Sequence, residues 1–257
     1  MSAAVNYIAL KSIVRKECTR FMRIWVQTLV PPAITTTLYF VIFGGLIGSR
    51  VGQMGGFSYM DYIVPGLIMM SVITSSYSNV ASSFFSAKFQ RNIEELLVAP
   101  VPNYIIIMGY VAGGVCRGLL VGSIVTLVAM VFTDLQFHHV GVLVLVILLT
   151  AILFALGGMF NALFAKTFDD VSIIPTFVLT PLTYLGGVFY SIAMLPEFWQ
   201  WVSKLNPVVY MVNTFRYGFL GVSDIPVLPS VIMLLVMTVV LFLVILNMLK
   251  RGVGIRS

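Results

Sequence analysis

Residues 141–165 read GVLVLVILLTAILFALGGMFNALFA, a stretch of 25 positions without one Asp, Glu, Lys or Arg. A helix needs about 20 apolar residues to cross the hydrocarbon of a bilayer. The run is continuous rather than alternating, which fits a membrane helix and argues against a barrel strand. Working outward, five further apolar stretches occupy 27–48, 59–82, 103–132, 171–192 and 230–249. The chain of 257 residues is 60% hydrophobic and only 9% charged, against roughly 25% charged in soluble domains. Most of its surface therefore meets lipid. The expected class is an all-α integral membrane protein, divided into an amphipathic helix over 1–26 and a domain of six transmembrane helices over 27–257.

The third stretch, 103–132, is long for one crossing, so it is expected to tilt or to extend into water. Pro65 and Pro181 are expected to kink or interrupt the second and fifth helices, because proline removes a helical hydrogen bond. The Gly186–Gly187 pair is expected to end or bend the fifth. Gly109, Gly113, Gly114, Gly118 and Gly122 mark one span. Small residues at such spacing let helices approach closely.

Basic residues set the orientation. With both termini cytoplasmic, 11 Lys and Arg fall inside, from Lys11 to Arg23, at Lys88, Arg91 and Lys166, and at the C-terminus, and 3 outside, at Arg50, Lys204 and Arg216. A net charge of +6 gathered at the two ends suits an anionic membrane surface, and nucleic-acid binding is not expected. The first 25 residues hold 5 basic side chains and no long apolar core, so no cleavable signal peptide is expected. In residues 5–25, Tyr7, Val14, Cys18, Phe21 and Trp25 form a stripe opposite Lys16, Arg20 and Arg23, the pattern of an interfacial helix. Cys18 and Cys116 define no disulfide framework.

The loop after the second span holds Lys88-Phe89-Gln90-Arg91-Asn92-Ile93-Glu94-Glu95-Leu96-Leu97-Val98-Ala99-Pro100. Phe89, Ile93, Leu96 and Leu97 share a helical face and the charged residues take the other, until Pro100 and Pro102 stop the helix. Its apolar face needs a cover, supplied either by the ends of its own bundle or by a partner's groove.

These residues resemble the permease subunits of the ABC type-2 exporters, the class that serves drug, nodulation-factor and polysaccharide export. Asn92–Pro100 is similar to the family's short charged helix ending in Leu-Leu-x-x-Pro. Phe177–Tyr190 matches its fifth span, and Met194-Leu195-Pro196, Asn206-Pro207, Tyr210 and Arg216 match the run beyond it. The family often has Ser where Gly186 stands and Pro where Tyr190 stands, mild departures. The resemblance implies a homodimer that forms a translocation pathway in a bacterial inner membrane. Two separate ATPase subunits would dock beneath it and carry the ATP and Mg, so no cofactor is expected on this chain. Lys88, Phe89, Arg91, Glu94, Glu95, Leu96 and Leu97 would form the coupling helix, 1–26 the connecting helix, and 193–229 re-entrant helices capping the outer side. Phe177, Pro181 and Tyr184 would border the pathway, with Arg117 as a further lining or packing residue.

Missing motifs agree with that picture. No G-x-x-x-x-G-K-[ST] run exists, so no phosphate-cradling loop is present and no enzymatic activity is expected. The 9 acids, among them Glu17, Asp61 and Asp224, all read as lying toward one membrane face or the other. Ion-coupled transporters need intramembrane carboxylates, which weighs against a secondary transporter; that class, a passive channel and a membrane scaffold are the alternatives. His138 and His139 fall short of the three or four ligands of a zinc site, and no metal is expected. Trp199 and Trp201 read as interface anchors. The apolar, aromatic spans favour an amphipathic or lipid-linked substrate.

Overall fold

The computed structural model describes residues 3–254, with the side chains of Leu46, Ser49 and Leu97 outside that description. Helices dominate. α1 (Ala3–Arg23) breaks at Ile24 and gives way to α2 (Trp25–Tyr39), which runs on through a π-helical stretch, Phe40–Ile47, into α3 (Gly48–Val51). A hairpin of β1 (Gln53–Met54) and β2 (Phe57–Ser58) follows, which the sequence reading did not anticipate. Then come α4 (Tyr59–Phe89), α5 (Asn92–Val98), α6 (Asn103–Phe132) and α7 (Val140–Phe164). Beyond them lie α8 (Phe168–Ile174), a π stretch at Pro175–Leu179, α9 (Thr180–Tyr184), α10 (Glu197–Lys204), α11 (Pro207–Leu220) and α12 (Val227–Arg251).

Among the described residues five helices are long and apolar enough to cross a bilayer: Trp25–Gly45, α4, α6, α7 and α12. The expected fifth span, 171–192, is not one of them. Its helix runs Phe168–Tyr184, about 25 Å at 1.5 Å per residue, short of a hydrocarbon core of about 30 Å. Pro175 opens a π stretch within it, and Gly187 at φ +71° turns the chain away after Leu185. Pro181 is carried inside this helix, since the π stretch ahead of it absorbs the misfit. Pro65, expected to interrupt its helix, leaves α4 continuous, because it stands only two turns from the start.

α4 is the central helix. Ile63, Val64, Ile68, Met69, Val72 and Ile73 are fully buried on it, and α6, α7 and α11 pack around it. The α6 glycines explain how closely. A Cβ on Gly114 would stand 2.6 Å from Val80 Cγ2, and one on Gly122 2.7 Å from Val72 Cγ2. α4 also exceeds its predicted end by two turns. Its late serines bond back into the helix, as Ser82 Oγ does to Ser78 O at 2.7 Å, and so cost little there. At the hairpin end, Ser58 caps α4 by accepting from Asp61 N, and the Thr133 hydroxyl donates to the Asp61 carboxylate, joining α4 to the end of α6.

α1 runs parallel to the first turns of α6. Asn6 meets the Tyr104 hydroxyl, Ile13 meets Gly109 and Glu17 meets Gly113. Its buried stripe is therefore Ile13, Glu17 and Phe21. Of the expected stripe Phe21 is buried, while Tyr7 (65%) and Trp25 (54%) are exposed, as an apolar face turned to the membrane surface would be. Amphipathic periodicity ranks faces by apolarity, whereas here the glycines of α6 choose the face.

Segment 193–229, expected as a cap, contains α10 and α11. α11 is almost wholly buried against α4 and α7. Arg216, expected outside as a charge of the outer loop, is instead buried on α11 with 1% exposure. Its Nε donates to Tyr62 O at 3.2 Å and its Nη2 to Gly187 O at 2.7 Å, and the guanidinium lies 3.8 Å over the Tyr62 ring. Asp224 closes the same cluster by accepting from Ser191 Oγ at 2.8 Å and from Ile192 N at 3.2 Å.

Candidate functional site

Three places concentrate polar groups, one exposed, one buried at a helix joint and one lining a groove. The first surrounds α5. The chain leaves α4 through Arg91, the one non-glycine residue with positive φ (61°) among the described residues. Such a conformation costs a side chain of this type about 1–2 kcal/mol. Lys88 and Phe89 therefore belong to the last turn of α4, and the single helix expected over 88–98 is two helices. Arg91 supplied no sequence signal for the break, because Gly or Asn usually marks one.

Ile93 anchors α5 in the core, at 1% exposure, against a cluster that includes Phe84, Phe85, Ile106 and Tyr110, and Leu96 packs beside it. Arg91, Asn92, Glu94, Glu95 and Val98 are exposed and Leu96 is half-buried. Lys88 turns inward. Its ammonium donates to Leu163 O at 2.7 Å and Ala165 O at 2.8 Å, closing the C-terminal end of α7, where a cation is favoured. Phe89 is 60% exposed and stacks with Phe85 and Phe168. Clefts flank α5 on both sides. One of about 660 Å³ includes Phe89, Arg91, Glu94 and Lys166, and one of about 400 Å³ lies toward Ile13 and Lys16 of α1.

The second place is the joint of α1 with the bundle. Glu17 has no exposed surface. Ser83 Oγ donates to its Oε1 at 2.7 Å, and Arg20 Nε lies 3.4 Å from Oε2, the only ion pair among the described residues. Arg20 Nη2 also donates to Asn79 O and Oδ1, both at 2.9 Å. A buried carboxylate is tolerated only when paired in this way. Sequence reading missed Glu17, Asn79 and Ser83. The adjoining Gly109 and Gly113 carried the signal, since they leave room for a helix on that side of α6.

The third is a groove of about 310 Å³ between α2 and α4, floored by Arg117 of α6. Gln27, Thr28, Thr35 and Thr36 line one wall, and Ser71, Thr74, Ser75 and Ser78 the other. Pro31 and Pro32 stand in the wall of α2. Lacking amide protons, they release the carbonyls one turn earlier, at Gln27 and Thr28. At the far end Tyr39 lines the groove, and its hydroxyl lies 2.5 Å from that of Tyr184. Of the four residues expected at a pathway, Arg117 lines this groove and Tyr184 touches its end. Phe177 (73% exposed) and Pro181 stand apart on the exposed helix of 168–184. The wall hydroxyls were legible as the run Ser71–Ser83, in which 7 of 13 positions are Ser or Thr.

Comparison with known proteins places this architecture. The model of the ABC-2 type transporter family matches residues 8–220, from the buried face of α1 to the end of α11. The inner membrane transport permease YadH of Escherichia coli K12 is 63% identical over 251 residues, 98% of each chain. Nodulation protein J of Rhizobium leguminosarum bv. trifolii is 24% identical over 249 residues, 96% of this chain and 94% of that one. Nodulation protein J of Rhizobium meliloti is also 24% identical, over 217 residues. With the family model covering most of the chain and a transport permease so similar along its whole length, this all-helical membrane protein belongs to the ABC-2 type transporter family.

Proposed function

We propose that the chain is the membrane-spanning, non-catalytic subunit of an ATP-driven exporter in a bacterial inner membrane, with both termini cytoplasmic. Two copies enclose the pathway, and two ATPase subunits, which carry the ATP and Mg, seat against α5. The observation that carries this reading is the mounting of α5: Ile93 is buried and Leu96 half-buried against the core, while Arg91, Glu94, Glu95 and Val98 are exposed. A short helix seated by one face, with clefts on both flanks, suits a partner that pushes on it. The Arg117 groove supports the paired arrangement. Thr35 and Thr74 are exposed at its rim, and polar walls open to lipid are disfavoured, so a second copy covers them. An amphipathic substrate suits a groove that joins hydroxyls to Leu67, Met70 and Tyr39.

The test is reconstitution with a candidate ATPase subunit from the same organism. The chain alone hydrolyses no ATP, and the complex does. The double variant Glu94→Lys, Glu95→Lys keeps its fold and loses most of the stimulation. Unchanged stimulation in that variant would remove α5 from the coupling role. One observation favours an ion-coupled transporter instead, namely the buried carboxylate of Glu17. Its bonds to Ser83 and Arg20 suit a structural joint, and transport that persists without the ATPase but stops when the proton gradient is collapsed would reverse that preference.

A further inference from the structure

Arg117 stands midway along α6, and its guanidinium forms no hydrogen bond or ion pair among the described residues. Its Nε is shut off from solvent with no acceptor in reach. The charged group that acts on it is Arg20, of the same sign. Arg20 is already committed to Glu17 and Asn79, and the other oxygen of Glu17 is held by Ser83. The groove itself contains no carboxylate. A guanidinium left in this state inside a membrane protein calls for an anion. Its planar fork matches phosphate or carboxylate oxygens in pairs.

The surroundings specify the rest of the ligand. Hydroxyls of Ser71, Ser75 and Ser78 line the groove with Arg117 and add hydrogen-bonding partners for such oxygens, while Leu67, Met70 and Pro31 offer apolar surface within the same space. The volume, about 310 Å³, falls at the lower end of known ligand sites, about 300–1,000 Å³. Arg20 lines a separate cleft of about 590 Å³ on α1 with Arg15, Lys16 and Arg23.

We infer that Arg117 and the hydroxyl groove bind the anionic headgroup of an amphiphile, phosphate- or carboxylate-bearing, with its chain against the apolar wall. The inference rests on the groove being the pathway of the exporter and names the chemistry of what enters it. Purified full-length chain in a neutral maltoside detergent is titrated with dodecyl phosphate, and the thermal unfolding midpoint is followed. Dodecyl phosphocholine serves as a zwitterion of equal chain length and inorganic phosphate as the headgroup alone. Dodecyl phosphate raises the midpoint saturably, and the two controls do not. Arg117→Gln raises the half-saturating amount at least tenfold, while Arg117→Lys, which keeps the charge and guards against a folding defect, raises it less. Equal response to the phosphocholine, saturation by inorganic phosphate alone, or an undiminished response in Arg117→Gln overturns the inference. The ATPase is absent from this assay, so a negative result leaves the exporter reading intact, and a failed reconstitution leaves this binding intact.

Discussion

Glu17 of α1 accepts a hydrogen bond of 2.7 Å from the Ser83 hydroxyl of α4 while none of its own surface is exposed. A carboxylate in that position converts a surface helix into a fixed part of the bundle. α1 is seated on the glycine-lined face of α6, and the Arg20 bonds to Asn79 tie it to α4 as well. α5 lies beside this joint, across the cleft that Ile13 and Lys16 help to line.

Removing Arg20 leaves the Glu17 charge buried without its ion pair. Breaking a fully buried pair costs about 3–5 kcal/mol. Arg20 is 30% exposed, so water offsets part of the loss and about 2 kcal/mol is expected, after discounting for that screening. Arg20→Ala should lower the thermal midpoint in detergent clearly, and Glu17→Gln, whose amide still accepts from Ser83, should lower it less. Equal midpoints in all three chains would mean that the joint does not bear on stability.

The parallel register of α1 and α6 can be read with the protein's own cysteines. The thiols of Cys18 and Cys116 adjoin across the contact. Burial, then the adjoining Cys116 and the Glu17 charge, push the Cys18 thiol up to about 11, so it is protonated at neutral pH and alkylates faster as the pH rises toward that value. Mild oxidation should join the two in one chain, visible in the intact mass. Gly113→Val, whose side chain would overlap that of Glu17, should abolish the cross-link. Efficient cross-linking in that variant would refute the register.

Arg216 holds the segment after α9 to α4. Arg216→Leu strands the Tyr62 and Gly187 carbonyls, at about 1–3 kcal/mol for each buried acceptor left unpaired. A lysine lacks the fork that reaches both, so Arg216→Lys should recover only part of the loss. The thermal midpoints of the two variants test this, and a leucine variant as stable as the parent would contradict it.

The start of α8 carries a pH-dependent contribution. The amides of Lys166 and Thr167 both donate to Asp170 Oδ2 at 2.9 Å and hold its carboxyl below the usual carboxylate range. A group whose value is depressed by folding stabilises above its unfolded value, about 3.9, and loses that contribution as the pH falls through the folded value. The gap in thermal midpoint between parent and Asp170→Asn should be constant near neutrality and shrink below about pH 4. A gap that widens on acidification would reverse the assignment.

Much of this architecture was legible in the sequence. The run of 103–132 gives α6 to the residue, and that of 141–165 gives α7 within one position, because composition alone decides whether a helix lies in lipid. Pro100 likewise fixed the end of α5. What escaped notice depends on partners distant along the chain. Glu17 looks like a surface acid until Gly113 and Ser83 are set beside it. Arg216 looks like a loop charge until the carbonyls of Tyr62 and Gly187 enclose it. The stretch of 171–192 is as apolar as a spanning helix, and Pro175 and Gly187 mark where its regular helix is interrupted and where it ends. The groove combines both cases: the hydroxyls were countable, and their meeting with Arg117 was not.

The central claim is that α5 faces the cytoplasm and is covered by the ATPase. A single cysteine at Glu94, in a chain with Cys18 and Cys116 changed to Ser, tests it through labelling with a membrane-impermeant maleimide. The account predicts rapid labelling in inside-out vesicles, none in intact cells, and protection when the ATPase is bound. Labelling from outside the cell, or an unchanged rate with the ATPase in place, would contradict it.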